Sequence, residues 1–435
     1  MVLEVRFNHM GGILVGRYSM LAVLGAWWVA FAVAAWAVLR LPRRMAVTVV
    51  LAGAVLFNVA ALTQGPQTSD DLYRYTWDGK VAAEGIDPYR YPPDDPRLVA
   101  LRDPWLWPDA AGCASLDRPA GCTRMNRPSA RTIYPPVAQV WFRGLYEVLP
   151  DGSRHKGLQV VHGLVGLGLT VLLMAVVANL GRNPAVAVLW AWSPLAVAET
   201  VMDAHVDVLA LVAVAGALWA LERRRPALGG GLLGVAVAIK LIPGVLLPAG
   251  LRNKPVRVLA AAGGVVGLSY LPHVLAVGPK VLGYLPGYLQ EEGYSKGGRF
   301  VLLGLVGLRG TVAKVVAVAL LAAAAGLVAL RREPPSVITR SRWMLLAVFL
   351  VVTPVQPWYA GLLVVVAVLD GAWELLAVAA AAYPLYFATI LDSASVGLVG
   401  RASYGIAALV VLGAFVWRRS HPATAPVLVN PARDA

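Results

Sequence analysis

Long apolar runs recur along the chain, separated by short stretches in which arginine is frequent. A helix crossing the roughly 30 Å hydrocarbon layer needs about 20 apolar residues, because each residue rises about 1.5 Å and every backbone amide must be bonded inside the segment. This criterion predicts spans near residues 18–39, 45–62, 157–180, 206–221, 256–277, 311–330, 343–353, 373–391 and 396–417. Shorter or broken runs at 184–200, 228–239, 241–251 and 360–369 predict kinked, tilted or half-crossing helices around a cavity. The pattern therefore predicts an all-α, polytopic transmembrane helical bundle of about 13 passes, within a range of about 11–15.

Composition agrees. Of 435 residues 58% are hydrophobic and 14% charged, an apolar excess that a soluble core of this length does not need and that must face lipid. The net charge of +14 would suggest nucleic acid in a soluble protein. Here the cations gather in short loops and act as topology signals, so no nucleic-acid partner is expected. The clusters are Arg40, Arg43 and Arg44; Arg182; Arg223, Arg224 and Arg225; Arg252, Lys254 and Arg257; Arg331, Arg332, Arg340 and Arg342; and Arg418 and Arg419. All six fit one side, which the positive-inside rule makes cytoplasmic, although Asp370 and Glu374 then sit among them as an anomaly. The N-terminus lacks the pattern of a cleaved signal, so the first long run is expected to stay as a span. Residues 1–417 form one expected transmembrane unit, and 418–435, rich in proline, read as a cytoplasmic disordered tail.

This orientation leaves residues 63–156 outside, a connection far longer than usual and therefore expected to be functional. Within it, 136–149 alternates in a way that suits an interfacial helix anchored by Trp141, Phe142 and Tyr146. The only two cysteines, Cys113 and Cys122, enclose a short loop on what would be the oxidising side, so a disulfide is expected, two free thiols being the other reading. Gly229, Gly230, Gly231 and Gly234 open a membrane helix, where close packing suits them better than a phosphate loop, since no Lys-Ser/Thr follows.

Candidate chemistry collects on the outer side. Ser69-Asp70-Asp71-Leu72-Tyr73-Arg74-Tyr75 runs on to Trp77-Asp78-Gly79 and Gly85-Ile86-Asp87-Pro88-Tyr89. Two adjacent carboxylates in a cleft would raise one pKa, as suits a general base, whereas on an open surface they are an ordinary solvated loop. Asp203, His205 and Asp207 stand where a span emerges; if helical, Asp203 and Asp207 share a face and His205 points elsewhere. Helix capping accounts for such a cluster, and so does binding a divalent ion or acceptor hydroxyls. Lys240 lies between apolar runs and needs an anionic partner, either a lipid phosphate or an acidic side chain. Residues 278–299 mix Tyr284, Tyr288, Tyr294, Lys280, Lys296 and Arg299, which suits sugars and phosphates and equally an interfacial belt.

The segment from Ser69 resembles the first external loop of the GT-C superfamily of glycosyltransferases, especially the polyprenyl-phosphate-sugar-dependent, mannosyltransferase-like members. The resemblance continues in order through Ile133-Tyr134-Pro135-Pro136, through His205-Val206-Asp207 after Glu199 and Asp203, through Lys240 followed by Pro243, and through Pro357-Trp358-Tyr359. It implies a catalytic acid in the loop; relatives often separate their acids by one residue whereas this chain has them adjacent, so either Asp70 or Asp71 takes that place. It also implies substrate contacts from Tyr73, Arg74, Tyr75, Trp77, Asp78, Tyr89, Tyr134, Asp203, His205, Asp207, Lys240, Arg299, Trp358 and Tyr359. The implied enzyme moves a sugar, mannose first, from a polyprenyl-phosphate donor to a lipid or glycan acceptor of the cell envelope. It inverts the anomeric centre and works at the extracytoplasmic face. A donor with one phosphate and no nucleotide does not demand a cofactor, and a divalent metal stays open. Broken helices with buried charge also suit a secondary transporter or lipid flippase, and a non-catalytic scaffold would leave Asp70 and Asp71 replaceable.

Overall fold

A computed structural model describes residues 1–252, 254–330 and 336–421. The expected tail lies outside these residues except at its start, where the last helix runs on to Ser420 instead of ending at 417. Every regular element among the described residues is helical, as the apolar periodicity predicts.

The chain opens with α1 (Val2–Asn8), α2 (Ile13–Val38) and α3 (Arg43–Ala61). The connection that follows carries α4 (Asp71–Ala83), α5 (Ala110–Ser115) and α6 (Pro136–Val148) before α7 (Arg154–Asn179) re-enters the bundle. Then come α8 (Val188–Ala191), a π turn at Ala196–Met202, α9 (Asp207–Glu222), α10 (Pro226–Ile239), α11 (Leu247–Gly250) and α12 (Pro255–Val277). The last part holds α13 (Leu285–Glu291), α14 (Gly310–Leu330), α15 (Val337–Val352), α16 (Gly361–Asp370), α17 (Leu375–Ile390) and α18 (Val396–Ser420).

Among the described residues six helices are long and apolar enough to cross a membrane unaided, or up to seven if the pair Pro184–Ala191 and Ala196–Met202, bent by 64°, is one span. The count of about 13 passes is thus not met by full-length helices. The difference lies in short helices such as α10, α16 and α17, which are apolar but have 10–17 residues, too few to traverse about 30 Å at 1.5 Å per residue. α16 is buried along nearly its whole length, so its apolar run serves the protein core as much as a membrane.

Glycine spacing explains the tightest packing. A Cβ on Gly230 or Gly234 would lie 2.4 Å from the Val258 carbonyl oxygen and 2.7 Å from that of Ala262, so α10 and α12 approach backbone to backbone. Gly79 does the same for α4, where a Cβ would meet the Phe142 carbonyl oxygen at 2.4 Å. α4 and α6 are thereby clamped together, with Tyr75 stacked on Phe142 at 4.5 Å.

The two ends of the bundle differ. At one end Lys156 donates to the carbonyls of Leu62 and Gln64 (2.5 and 2.6 Å), tying together the two roots of the 63–156 segment. At the other, Arg182 bonds the Leu369 carbonyl, Arg342 pairs with Asp370 and Arg418 with Glu374. These are called the loop end and the arginine end below.

Candidate active site

The adjacent acids of the first loop do different things because of where α4 begins. Asp70 is the residue before the helix, with non-helical backbone, and its carboxylate turns to Arg118 at 2.9 Å; the side chain is 37% exposed. Asp71 is the first helical residue, where the positive end of the helix dipole favours a carboxylate, and its side chain is 17% exposed. Its Oδ1 accepts from Asn126 Nδ2 at 3.1 Å, and its Oδ2 faces His205 Nε2 at 3.9 Å. Burial pushes the Asp71 carboxyl up, but His205, Lys240, Asn126 and Tyr134 together hold it below the ordinary carboxylate value. Burial dominates at Asp70 and leaves that carboxyl raised, with Arg118 offsetting it only in part.

His205 does not point away from the acids as a helical reading of 203–207 requires. Residues 203–206 are not helical, and Ala204 takes a positive φ of 49°. The kink sends three side chains in three directions. Asp203 accepts from the backbone amides of Gln67 (2.7 Å) and Thr68 (3.3 Å) and from the Thr68 hydroxyl, fastening the root of the loop. His205 stacks on Trp358 with centroids 4.0 Å apart and presents its ring to Asp71. Asp207 starts α9 and receives Lys240 Nζ at 3.0 Å. Asp203 and Asp207 therefore share no face. Lys240 has the acidic partner that its position demanded.

Lys240 reaches this cluster because α10 stops there and the backbone turns extended (φ −147°, ψ 137°). Its ammonium lies over the rings of Tyr134 (5.1 Å) and Tyr359 (5.4 Å), two cation–π contacts that partly replace lost water. Tyr359 in turn lies 3.3 Å, oxygen to oxygen, from Tyr288, which bonds Gln356 at 3.0 Å. Gln356 donates to Glu292 at 2.6 Å, and Glu292 pairs with the buried Arg299 at 2.6 Å. Arg299 thus belongs to the neighbourhood of the site through a chain of bonds, with its charge already matched by Glu292.

The structure gathers Asp71, Tyr75, Tyr134, His205, Asp207, Lys240, Trp358 and Tyr359 around one polar centre at the loop end. Other expected contacts lie apart from it. Arg74 and Asp78 pair with each other (2.9 Å), and Arg74 also bonds the Ala130 carbonyl (2.8 Å). Trp77 packs on Trp107, Tyr73 on Trp105, and the Tyr89 hydroxyl bonds the Tyr134 carbonyl at 2.6 Å. These residues frame the loop; they do not line the centre. Among the described residues no three His, Cys, Asp or Glu side chains converge closely enough to ligate a metal ion.

Three further neighbours of the centre have no individual role in the sequence reading. Asn126 lies in a polar loop, and Tyr288 among interfacial tyrosines. Glu199, in an apolar run, is 3% exposed; its Oε1 accepts from Tyr383 at 2.8 Å and its Oε2 lies 3.2 Å from His205 Nδ1. An acid within a membrane-length apolar run was the available signal for Glu199. The disulfide between Cys113 and Cys122, with Cα atoms 5.8 Å apart, closes a loop that carries Arg118, the partner of Asp70.

No curated protein and no solved structure matches the chain. The sequence model of glycosyltransferase family 87 matches residues 133–357. That stretch starts beside Tyr134, takes in Glu199, His205, Asp207 and Lys240, and ends next to Trp358, so most of the polar centre except α4 falls inside it. As the match covers more than half of a chain that folds as an apolar helical bundle, the protein belongs to glycosyltransferase family 87, a GT-C-like family of integral membrane enzymes.

Proposed function

We propose that this membrane glycosyltransferase moves a sugar, with mannose as first choice, from a polyprenyl-phosphate donor to a hydroxyl of a lipid or glycan acceptor, with Asp71 as general base. The observation that carries the proposal is the setting of Asp71: a depressed, ionised carboxylate at a helix start, beside the Lys240–Asp207 pair and the His205 ring. A base must be unprotonated when the acceptor arrives, and the helix start and the neighbouring Lys240 favour that form.

In the proposed reaction the acceptor hydroxyl gives its proton to Asp71 while its oxygen attacks the anomeric carbon. The bond from that carbon to the phosphate oxygen breaks on the opposite face, which inverts the centre and releases polyprenyl phosphate. Lys240 faces the negative charge that grows on the departing oxygen, and Asp207 fixes its ammonium. Tyr134, Trp358 and Tyr359 supply ring faces for the sugar. The 63–156 segment is proposed to be extracytoplasmic, since Arg182, Arg342 and Arg418 of the arginine clusters gather at the opposite end.

The test is incubation of the purified protein with radiolabelled polyprenyl-phosphate mannose, glucose or galactose and a membrane lipid extract, with and without a chelator. Transfer from one of these donors is expected. If none is used while a sugar nucleotide is, the donor class is wrong. Cysteine-accessibility labelling from each side decides the face, and labelling of 63–156 only from the cytoplasm would reverse the orientation.

A further inference from the structure

We infer that Glu199, His205 and Asp71 form a proton relay in which Glu199 is a positioning residue and His205 takes the proton that Asp71 has removed from the acceptor. The inference rests on the reading of Asp71 as base and assigns the next step to named atoms.

The geometry is directional. His205 is 1% exposed, and its ring is locked face-on against Trp358. Nδ1 bonds the Glu199 backbone oxygen (3.2 Å), so that nitrogen carries hydrogen, and Glu199 Oε2 lies 3.2 Å from it as an ion-pair contact with no aligned hydrogen bond of its own. The other nitrogen, Nε2, is buried with no hydrogen-bond partner, and the carboxylate nearest to it is Asp71 Oδ2 at 3.9 Å. A buried nitrogen left bare at such a cost is unusual unless something arrives there. The gap is too long for a direct bond, yet one oxygen can sit about 2.8 Å from both atoms. An acceptor hydroxyl, or a water after it, would bridge them.

The step balances without a co-reactant. The acceptor O–H bond breaks and its proton goes to Asp71; the new C–O bond forms and the phosphate leaves. A water that enters between them then takes the proton of Asp71 while giving one of its own to Nε2, forming an imidazolium whose charge the Glu199 carboxylate beside Nδ1 offsets. Water takes the proton from Nε2 when the products depart, and Asp71 is ionised for the next acceptor. Glu199 itself is fixed by the Tyr383 hydroxyl on its other oxygen. The remaining titratable groups that act on His205 are Asp203 on its own segment and His162 on α7; Lys240, just past the end of α10, acts on Asp71.

The readout is the titration of His205 in protein labelled with 13C-histidine, its signal among the six histidines assigned by its absence in His205→Gln. Glu199→Gln should lower the titration midpoint by about one pH unit or more, because a carboxylate that favoured the charged ring is gone. Glu199→Asp should restore most of it. Asp71→Asn, which leaves Glu199 intact, should lower it by a smaller amount, and this measurement stands even if Glu199→Gln does not fold. In transfer assays Glu199→Gln should reduce kcat about 10- to 100-fold with KM for the donor within twofold. A midpoint indifferent to both Glu199→Gln and Asp71→Asn would overturn the relay. That failure differs from failure of the base assignment, which would appear as full transfer by Asp71→Asn whatever His205 does.

Discussion

Both ends of the bundle bury charge; the loop end has matched pairs, Asp207 with Lys240 and Glu292 with Arg299, but leaves Asp71 facing only His205 at 3.9 Å, unlike the acids of the arginine end. There Glu374 receives a two-pronged contact from Arg418 (2.7 and 2.6 Å), and Asp370 pairs with Arg342 at 2.6 Å while accepting from Thr339 at 2.7 Å. The two acids that looked out of place among arginines expected to be cytoplasmic are counter-ions that pin α16, α17 and α18. The loop end is built from the same chemistry, but there two ring nitrogens, His205 Nε2 and Trp358 Nε1, are buried without a partner beside Asp71, which faces His205 across a gap, whereas at the arginine end it is guanidinium nitrogens of Arg340 that are unpartnered. A matched pair anchors helices; unmatched polar atoms around a common space imply that a ligand completes them.

The largest expected contrast follows directly. Asp71→Asn should lower transfer by about 10²–10⁴ with donor binding retained, since an amide keeps the shape and hydrogen bond but cannot accept a proton. Steady-state rates with the preferred polyprenyl-phosphate sugar measure it. Parental rates from that variant would make the loop end another anchor and abolish the contrast.

Lys240→Gln comes next, with an expected loss of about 100-fold in kcat, the scale of removing one preorganised charge from a developing oxyanion. Its thermal midpoint should fall as well, because Asp207 is left buried without its cation. Loss of stability with kcat per folded molecule unchanged would class Lys240 with the arginine-end pairs. Glu374→Gln is the converse variant. It should cost about 2 kcal/mol, less than a fully buried pair since Arg418 is partly exposed, while turnover per folded molecule stays parental. Thermal unfolding and active-fraction titration separate the two quantities.

Much of the architecture was legible because lipid-facing segments must be both apolar and long, and α2, α3, α7, α12, α14 and α18 satisfy that rule in the sequence itself. The short helices were not, because an apolar run of 10–17 residues reads alike whether it meets lipid or a protein core. At the site, Asp71, His205, Asp207 and Lys240 stood out as polar groups at the ends of apolar runs. Their pairing did not, because it depends on two backbone breaks, the positive φ at Ala204 and the extended Lys240. A helix drawn through 203–207 turns His205 away from the acid it faces. In the sequence Glu199 is only a landmark before His205, and Asn126 was missed: Glu199 meets His205 through the break between them, and Asn126 becomes chemical only when the fold brings Asp71 to it. The expected contacts Arg74, Trp77 and Asp78 share α4 with Asp71 but sit on the faces that hold α4 in place.

The finest test lies within the acid pair, where one residue of sequence separates the two kinds of charge. Asp70 resembles the arginine-end acids: it has a dedicated cation, Arg118 at 2.9 Å, whose other arm bonds the Thr123 carbonyl at 2.5 Å. Arg118 sits inside the loop closed by Cys113 and Cys122, so the disulfide, the arginine and Asp70 brace the start of α4 from outside, with Asp71 one residue further in. Asp70→Asn should therefore slow transfer only about two- to fivefold, the scale of a partly exposed ion pair. Arg118→Gln and the double variant Cys113→Ser/Cys122→Ser should slow it by a similar factor, through a looser α4 start. If the roles were reversed, Asp70→Asn would be the crippled variant and Arg118→Gln nearly harmless, because removing the counter-ion leaves a carboxylate free to act as base. Measuring the three side by side with Asp71→Asn assigns the base from the ranking alone, since a shared small loss marks a brace and one isolated large loss marks the chemistry.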